Sequence, residues 1–201
     1  MLFCAKCQVH ACSGNGKPFP KGCPTAEGNF EELHSRYLDK GNLEMATVSG
    51  YLSTDYTNTR IEETMKFAEG CGFKKIGIAF CIALSKEAAV IERIFSYNGF
   101  ETESVICKIG SPSKKEILGI ENDKAPIMCN PIAQAEYLNK AKTDLNVVVG
   151  LCVGHDTLFI KYSQAPVSVL AVKDRVLAHN PLGGVYMCDN FMKNRFFPEK
   201  K

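Results

Sequence analysis

The chain has 201 residues, a formal net charge of +2, 45% hydrophobic residues and 23% charged residues. That is the composition of a globular protein long enough for a sizeable core, and it excludes a disordered chain. No basic run exceeds a few residues and no apolar stretch approaches the ~18 residues of a membrane span, so neither nucleic acid nor membrane is an expected partner.

The opening residues, Met1-Leu2-Phe3-Cys4, have neither the basic n-region nor the apolar h-region of a signal peptide, which predicts a cytoplasmic location. In that reducing setting the 10 cysteines read as metal or redox ligands rather than as disulfides. Residues 1–26 carry Cys4, Cys7, Cys12 and Cys23 among Gly14, Gly16, Pro18, Pro20, Gly22 and Pro24, with neither helical nor strand periodicity. Such a segment cannot build an apolar core, so it is predicted to be ordered by a bound group, separately from an α/β domain over 27–201.

Residues 28–71 form a helical lead-in. Phe30, Leu33, Tyr37 and Leu38 fall on one apolar stripe. Gly41 breaks that pattern, and Asn42 is the expected N-cap of a second helix reaching Leu52. A third helix starts near Thr59 and stops at Gly70-Cys71-Gly72.

From Lys75 onward short apolar runs alternate with helical stretches. The runs are Ile76–Phe80, Glu103–Ile106, Pro126–Met128, Asn146–Leu151 and Val167–Val172. Between them lie helices over Ser85–Tyr97 (with Ser85 as N-cap), Ser113–Leu118, Pro131–Lys142 and His155–Tyr162. The alternation predicts an α/β fold, a Rossmann-like parallel sheet of four or five strands flanked by helices.

Two cysteine constellations carry the chemistry. In the first, Cys4 and Cys7 make a C-x2-C pair that can grip one metal from a single loop, and Cys12 and Cys23 can close the shell. Four thiolates suit tetrahedral zinc or a [4Fe–4S] cluster, and the Cys23-Pro24 step is shared with iron–sulfur motifs. The spacing leaves both open, and His10 could replace one thiolate. The bland alternative is four free thiols on a loose tail.

In the second, Cys81, Cys107, Cys129 and Cys152 each end an apolar run, at separations of 26, 22 and 23 residues, about one βα unit apiece. In a parallel sheet all four would stand on the carboxyl edge, where open α/β sheets bind ligands. Lys108, Asn130, His155, Asp156, Lys173, Asp174, Arg175, His179 and Asn180 fall on the same edge. Cys81, Cys107, Cys129 and Cys152 are therefore the candidate cofactor-binding set for a small-molecule ligand or cluster, with Cys152 and His155 as candidate catalytic residues. Against this stands the tendency of cysteine to serve as a small buried hydrophobe, of Asp156 to cap the helix after it, and of Lys173-Asp174-Arg175 to form a salt-bridged loop.

The four N-terminal cysteines, together with Cys129-Asn-Pro-Ile-Ala-Gln-Ala-Glu136, Gly150-Leu-Cys-Val-Gly-His-Asp156 and Val172-Lys-Asp-Arg-Val-Leu-Ala-His-Asn-Pro181, resemble an uncharacterised family of prokaryotic "metal-binding proteins", a domain of unknown function. The resemblance spans nearly the whole chain. It implies a zinc site on Cys4, Cys7, Cys12 and Cys23 and supplies no reaction. At the level of fold alone, the strand-end cysteines are similar to the cluster ligands of carbon monoxide dehydrogenase and hybrid cluster proteins, which keeps an iron–sulfur redox enzyme or electron carrier as the alternative function.

Overall fold

A computed structural model describes residues 2–121 and 124–199. The chain divides into two compact units, the first ending at Gly50 and the second beginning at Tyr51.

The first unit is built from short turns. Cys4–Lys6 and Ala11–Ser13 are 3-10 turns, followed by α1 (Pro24–Glu27), α2 (Glu31–Ser35), a further 3-10 turn at Arg36–Leu38, and α3 (Lys40–Leu52). Ala11 is its one buried apolar side chain among the described residues. The stripe expected over Phe30–Leu38 is not a buried face: Leu33, Tyr37 and Leu38 are 46%, 58% and 73% exposed. The helix stops at Ser35 and tightens to 3-10, so the 3.6-residue period that would align the stripe is not kept. Gly41 does not break the pattern, because α3 runs through it, at a cost of about 1 kcal/mol that a 13-residue helix absorbs. Asn42 accordingly lies inside the helix, and its Nδ2 donates to Arg36 O at 2.9 Å.

The second unit opens with α4 (Arg60–Gly70), started by a complete capping box. Thr59 N–H donates to Glu62 Oε2 at 2.7 Å, and Glu62 N–H donates back to Thr59 Oγ1 at 3.4 Å. Then come β1 (Lys75–Phe80), α5 (Ser85–Tyr97), β2 (Glu101–Ile106), α6 (Lys114–Leu118), α7 (Pro131–Ala141), β3 (Leu145–Val149), α8 (His155–Tyr162), β4 (Val167–Ala171), α9 (Pro181–Tyr186) and α10 (Lys193–Phe196). Leu84, not Ser85, occupies the cap position of α5, because a 3-10 turn over Ile82–Leu84 feeds directly into the helix.

The four strands form one parallel sheet in the order β2-β1-β3-β4. The sequence therefore folds as the α/β parallel sheet its alternation predicts. Period-2 alternation sorts the core into two layers. Ile76, Ile78, Leu145, Val147 and Val149 pack with α4 and α5 residues Ala68, Ile91 and Phe95. Ala79 and Val148 pack on the opposite side with Ala135, Leu138 and Phe159 of α7 and α8.

Pro126–Met128 is not a strand. Ile127 makes only an isolated antiparallel bridge to Ser113. Three residues led by a proline, which has no N–H to donate, bridge to the segment before α6: Lys114 N–H donates to Pro126 O and Met128 N–H to Pro112 O. Among the described residues no helix is long and apolar enough to cross a membrane.

Candidate functional site

The chain leaves β1 for β2 on one side and later returns to β3 on the other, so the topological switch point lies between the ends of β1 and β3. Cys81 directly follows β1, and Cys107 directly follows β2. Phe80 and Ile106 are the last register partners; beyond them Cys107 N–H donates to Phe80 O at 2.9 Å and Cys81 N–H to Val149 O of β3 at 3.1 Å. As odd-numbered positions beyond Ala79 and Val105 they point to the α7–α8 side, where both are buried. Ile82 N–H donates to Cys107 Sγ at 3.4 Å.

Cys129 reaches the same place by another route. It ends no strand; instead the next residue, Asn130, donates its N–H to Cys107 O at 2.7 Å and caps α7 through Ala133 N–H. Cys129 packs half-buried against the Cys81–Cys107 cluster.

Cys152 is also half-buried, and Arg175 Nη2 donates to its Sγ at 3.6 Å. His155 starts α8, and its N–H donates to Cys152 O at 2.9 Å. The carboxylate of Asp156 accepts from Thr157 N–H at 2.7 Å. Further on, Asp174 Oδ1 accepts from the N–H groups of Val176 and Leu177, and Asp174 N–H donates to His179 Nδ1 at 3.1 Å. Lys108 Nζ donates to Ile127 O at 2.6 Å.

Two groups at this edge carry more weight than their place in the sequence suggests. Lys173 Nζ is buried, and no protein oxygen accepts from it. Its stem passes over Gly150, where an added Cβ would stand 3.7 Å from Lys173 Cε. The ammonium acts on the Cys81 thiol. Gln134 of α7 is fully buried; its Nε2 donates to Phe80 O and Val105 O, and its Oε1 has no partner.

Burial pushes the Cys81 thiol up, but Lys173, the Ala83 N–H and the Cys107 thiol act against it, and the net displacement is downward. Cys107 goes the other way. Burial pushes it up to about 12, the Ile82 N–H opposes the rise, and Cys129 and Cys81 add to it. The two thiols are thereby displaced in opposite directions.

The N-terminal constellation also converges. Cys4, Cys7, Cys12 and Cys23 line one cavity of about 60 Å³ together with His10. Left-handed backbone at His10, Gly14, Gly16 and Gly22 folds the chain back on itself around it. Among the described residues, no group of three or more His, Cys, Asp or Glu side chains is arranged to hold a metal ion, at this cavity or at the sheet edge.

A family model described as "Protein of unknown function (DUF1847)" matches residues 23–170, so it begins at the last cysteine of the N-terminal four. An uncharacterized protein of Methanocaldococcus jannaschii is 42% identical over 189 residues, which is 92% of this chain and 94% of the relative. No solved structure matches the chain at a significant level.

Proposed function

We propose that this chain, which belongs to the DUF1847 family, is a metal-binding protein whose bound group is held by Cys4, Cys7, Cys12 and Cys23. The observation that supports this reading is the single cavity those four side chains line. A segment with one buried apolar side chain has little else to order it, and metal–thiolate bonds contribute folding energy directly. Zinc would be held by turning the four sulfurs inward to ~2.3 Å from one centre.

One observation favours the second reading, a [4Fe–4S] cluster. The Cys23-Pro24 step is shared with iron–sulfur motifs, and such a cluster takes four thiolates. Elemental and acid-labile sulfide analysis of anaerobically purified protein tests both. One zinc per chain and no colour supports the first reading; brown protein with iron and sulfide in equal amounts supports the second. Metal content at background, or metal that survives Cys4→Ser and Cys7→Ser unchanged, refutes the assignment.

A further inference from the structure

We propose that Cys81 is a nucleophilic thiolate that reduces small hydroperoxides, and that Cys107 is the thiol that resolves it into a Cys81–Cys107 disulfide. The placement comes from the sheet. Neighbouring strands lie ~4.7–4.9 Å apart, inside the Cα separation that a disulfide spans. Cys81 and Cys107 directly follow the last register pair, Phe80 and Ile106, both bury their side chains in one cluster, and the N–H of Ile82, next to Cys81, donates to Cys107 Sγ at 3.4 Å.

Lys173 decides which of the two attacks. An ammonium buried without an oxygen partner is costly unless a negative charge lies beside it; the Lys173 stem passes over Gly150, and Cys81 donates its N–H to Val149 O, the residue before that glycine, at 3.1 Å. A lysine beside a thiol favours the thiolate, which is the nucleophilic form. Burial decides the substrate class. Cys81 is 6% exposed and Cys107 1%, so the fitting oxidant is a small molecule such as a peroxide rather than the disulfide of another protein.

The chemistry balances in two steps. The Cys81 thiolate attacks one peroxide oxygen, the O–O bond breaks, and the departing hydroxide takes a proton from solvent as water, leaving a sulfenic acid on Cys81. As the Cys107 proton passes to the sulfenic oxygen, the Cys107 sulfur attacks the Cys81 sulfur, the S–O bond breaks, and the second oxygen leaves as water. The two thiols lose two electrons and the peroxide gains them. A small-molecule dithiol would return the pair to its reduced form by exchange.

The test uses the full chain, purified anaerobically and reduced. One equivalent of hydrogen peroxide is added, free thiols are blocked with N-ethylmaleimide, and peptides are mapped by mass spectrometry. The expected product joins the Cys81 and Cys107 peptides. Cys107→Ser should instead leave a dimedone-reactive sulfenic acid on Cys81, and Lys173→Met should slow Cys81 oxidation about tenfold. If Cys81 stays unmodified, if oxidation falls first on Cys129 or Cys152, or if Lys173→Met reacts as fast as wild type, the proposal fails.

Discussion

Gly77 and Asn146 face each other on β1 and β3, and an added Cβ on Gly77 would overlap Asn146 Oδ1 and come within 2.9 Å of Leu138 Cδ1. The amide cannot simply swing away. Thr143 Oγ1 donates to its Oδ1 at 2.7 Å, and its Nδ2 donates to Ser163 Oγ at 2.8 Å. Asn146 is fully buried, so breaking either bond leaves a polar group without water.

Gly77→Ala is therefore expected to cost about 2–3 kcal/mol, the range of overpacking in a tight core. Urea unfolding of the variant should show a lower midpoint at unchanged slope. The double variant Gly77→Ala/Asn146→Ala should lose less than the sum of the two single changes, because the second removes the obstacle to the first. Strict additivity would mean the two residues do not share the space.

How much of this was legible beforehand differs between the two kinds of information. Strand order of residue types is local, and the runs at Ile76, Glu103, Asn146 and Val167 became strands. The strand-end cysteines were legible for the same reason: Cys81 and Cys107 follow directly from where β1 and β2 stop. Cys129 arrived at the same cluster without the strand expected before it, carried by the Asn130-to-Cys107 backbone bond, which no local pattern encodes. Lys173 was readable only as one member of a charged triplet. That it lies across Gly150 toward Cys81, instead of pairing within the triplet, depends on which strands become neighbours. The stripe over Phe30–Leu38 failed because periodicity records what a full helix would do, and that helix ends after five residues.

The capping box of α4 gives a second prediction. Thr59→Ala removes the acceptor for Glu62 N–H and the anchor for the Glu62 carboxylate, and should cost about 1 kcal/mol. Hydrogen bonds from the Thr59 side chain and backbone hold Glu62 below its ordinary carboxylate value. A depressed folded value means that this contribution is present above the unfolded pKa and fades as pH falls through the lowered one. The gap between wild type and Thr59→Ala should accordingly narrow in acid titrations of thermal stability; a gap that holds constant to low pH would remove Glu62 from the cap.

Cys107 predicts the opposite limb. Its folded pKa, pushed up to about 12, lies above the ~8.5 of an unfolded cysteine. The unfolded chain therefore releases this proton first as pH rises. The stability tied to the neutral thiol is complete below about pH 8.5 and is lost on the way toward about 12. Cys107→Ala should be less stable than wild type at neutral pH, since it empties a buried site, yet lose less on going to pH ~10. Urea midpoints at the two pH values measure this. Parallel losses in both proteins would show that the buried thiol titrates like an exposed one.

Gly150 supplies the last prediction, because it joins packing to the chemistry of the edge. Its φ is +64°, a left-handed value, and an added Cβ would overlap Leu84 Cδ1. Gly150→Ala therefore meets two separate costs: about 1–2 kcal/mol for the backbone conformation and a further amount for displacing Leu84. Leu84→Ala in the same chain should recover the second cost and leave the first, so the double variant separates them. Displacement of Leu84 also disturbs the turn that carries Cys81, since Leu84 N–H donates to Cys81 O at 2.8 Å. The Lys173 stem passes over the same position, and the proposed Cys81 thiolate would lose its cation if that stem moved. In Gly150→Ala, alkylation of Cys81 by iodoacetamide at neutral pH should slow relative to wild type, by about the same factor as in Lys173→Met. If Gly150→Ala destabilises the fold but leaves that rate untouched, Gly150 serves packing alone, and the path of Lys173 to Cys81 does not depend on it.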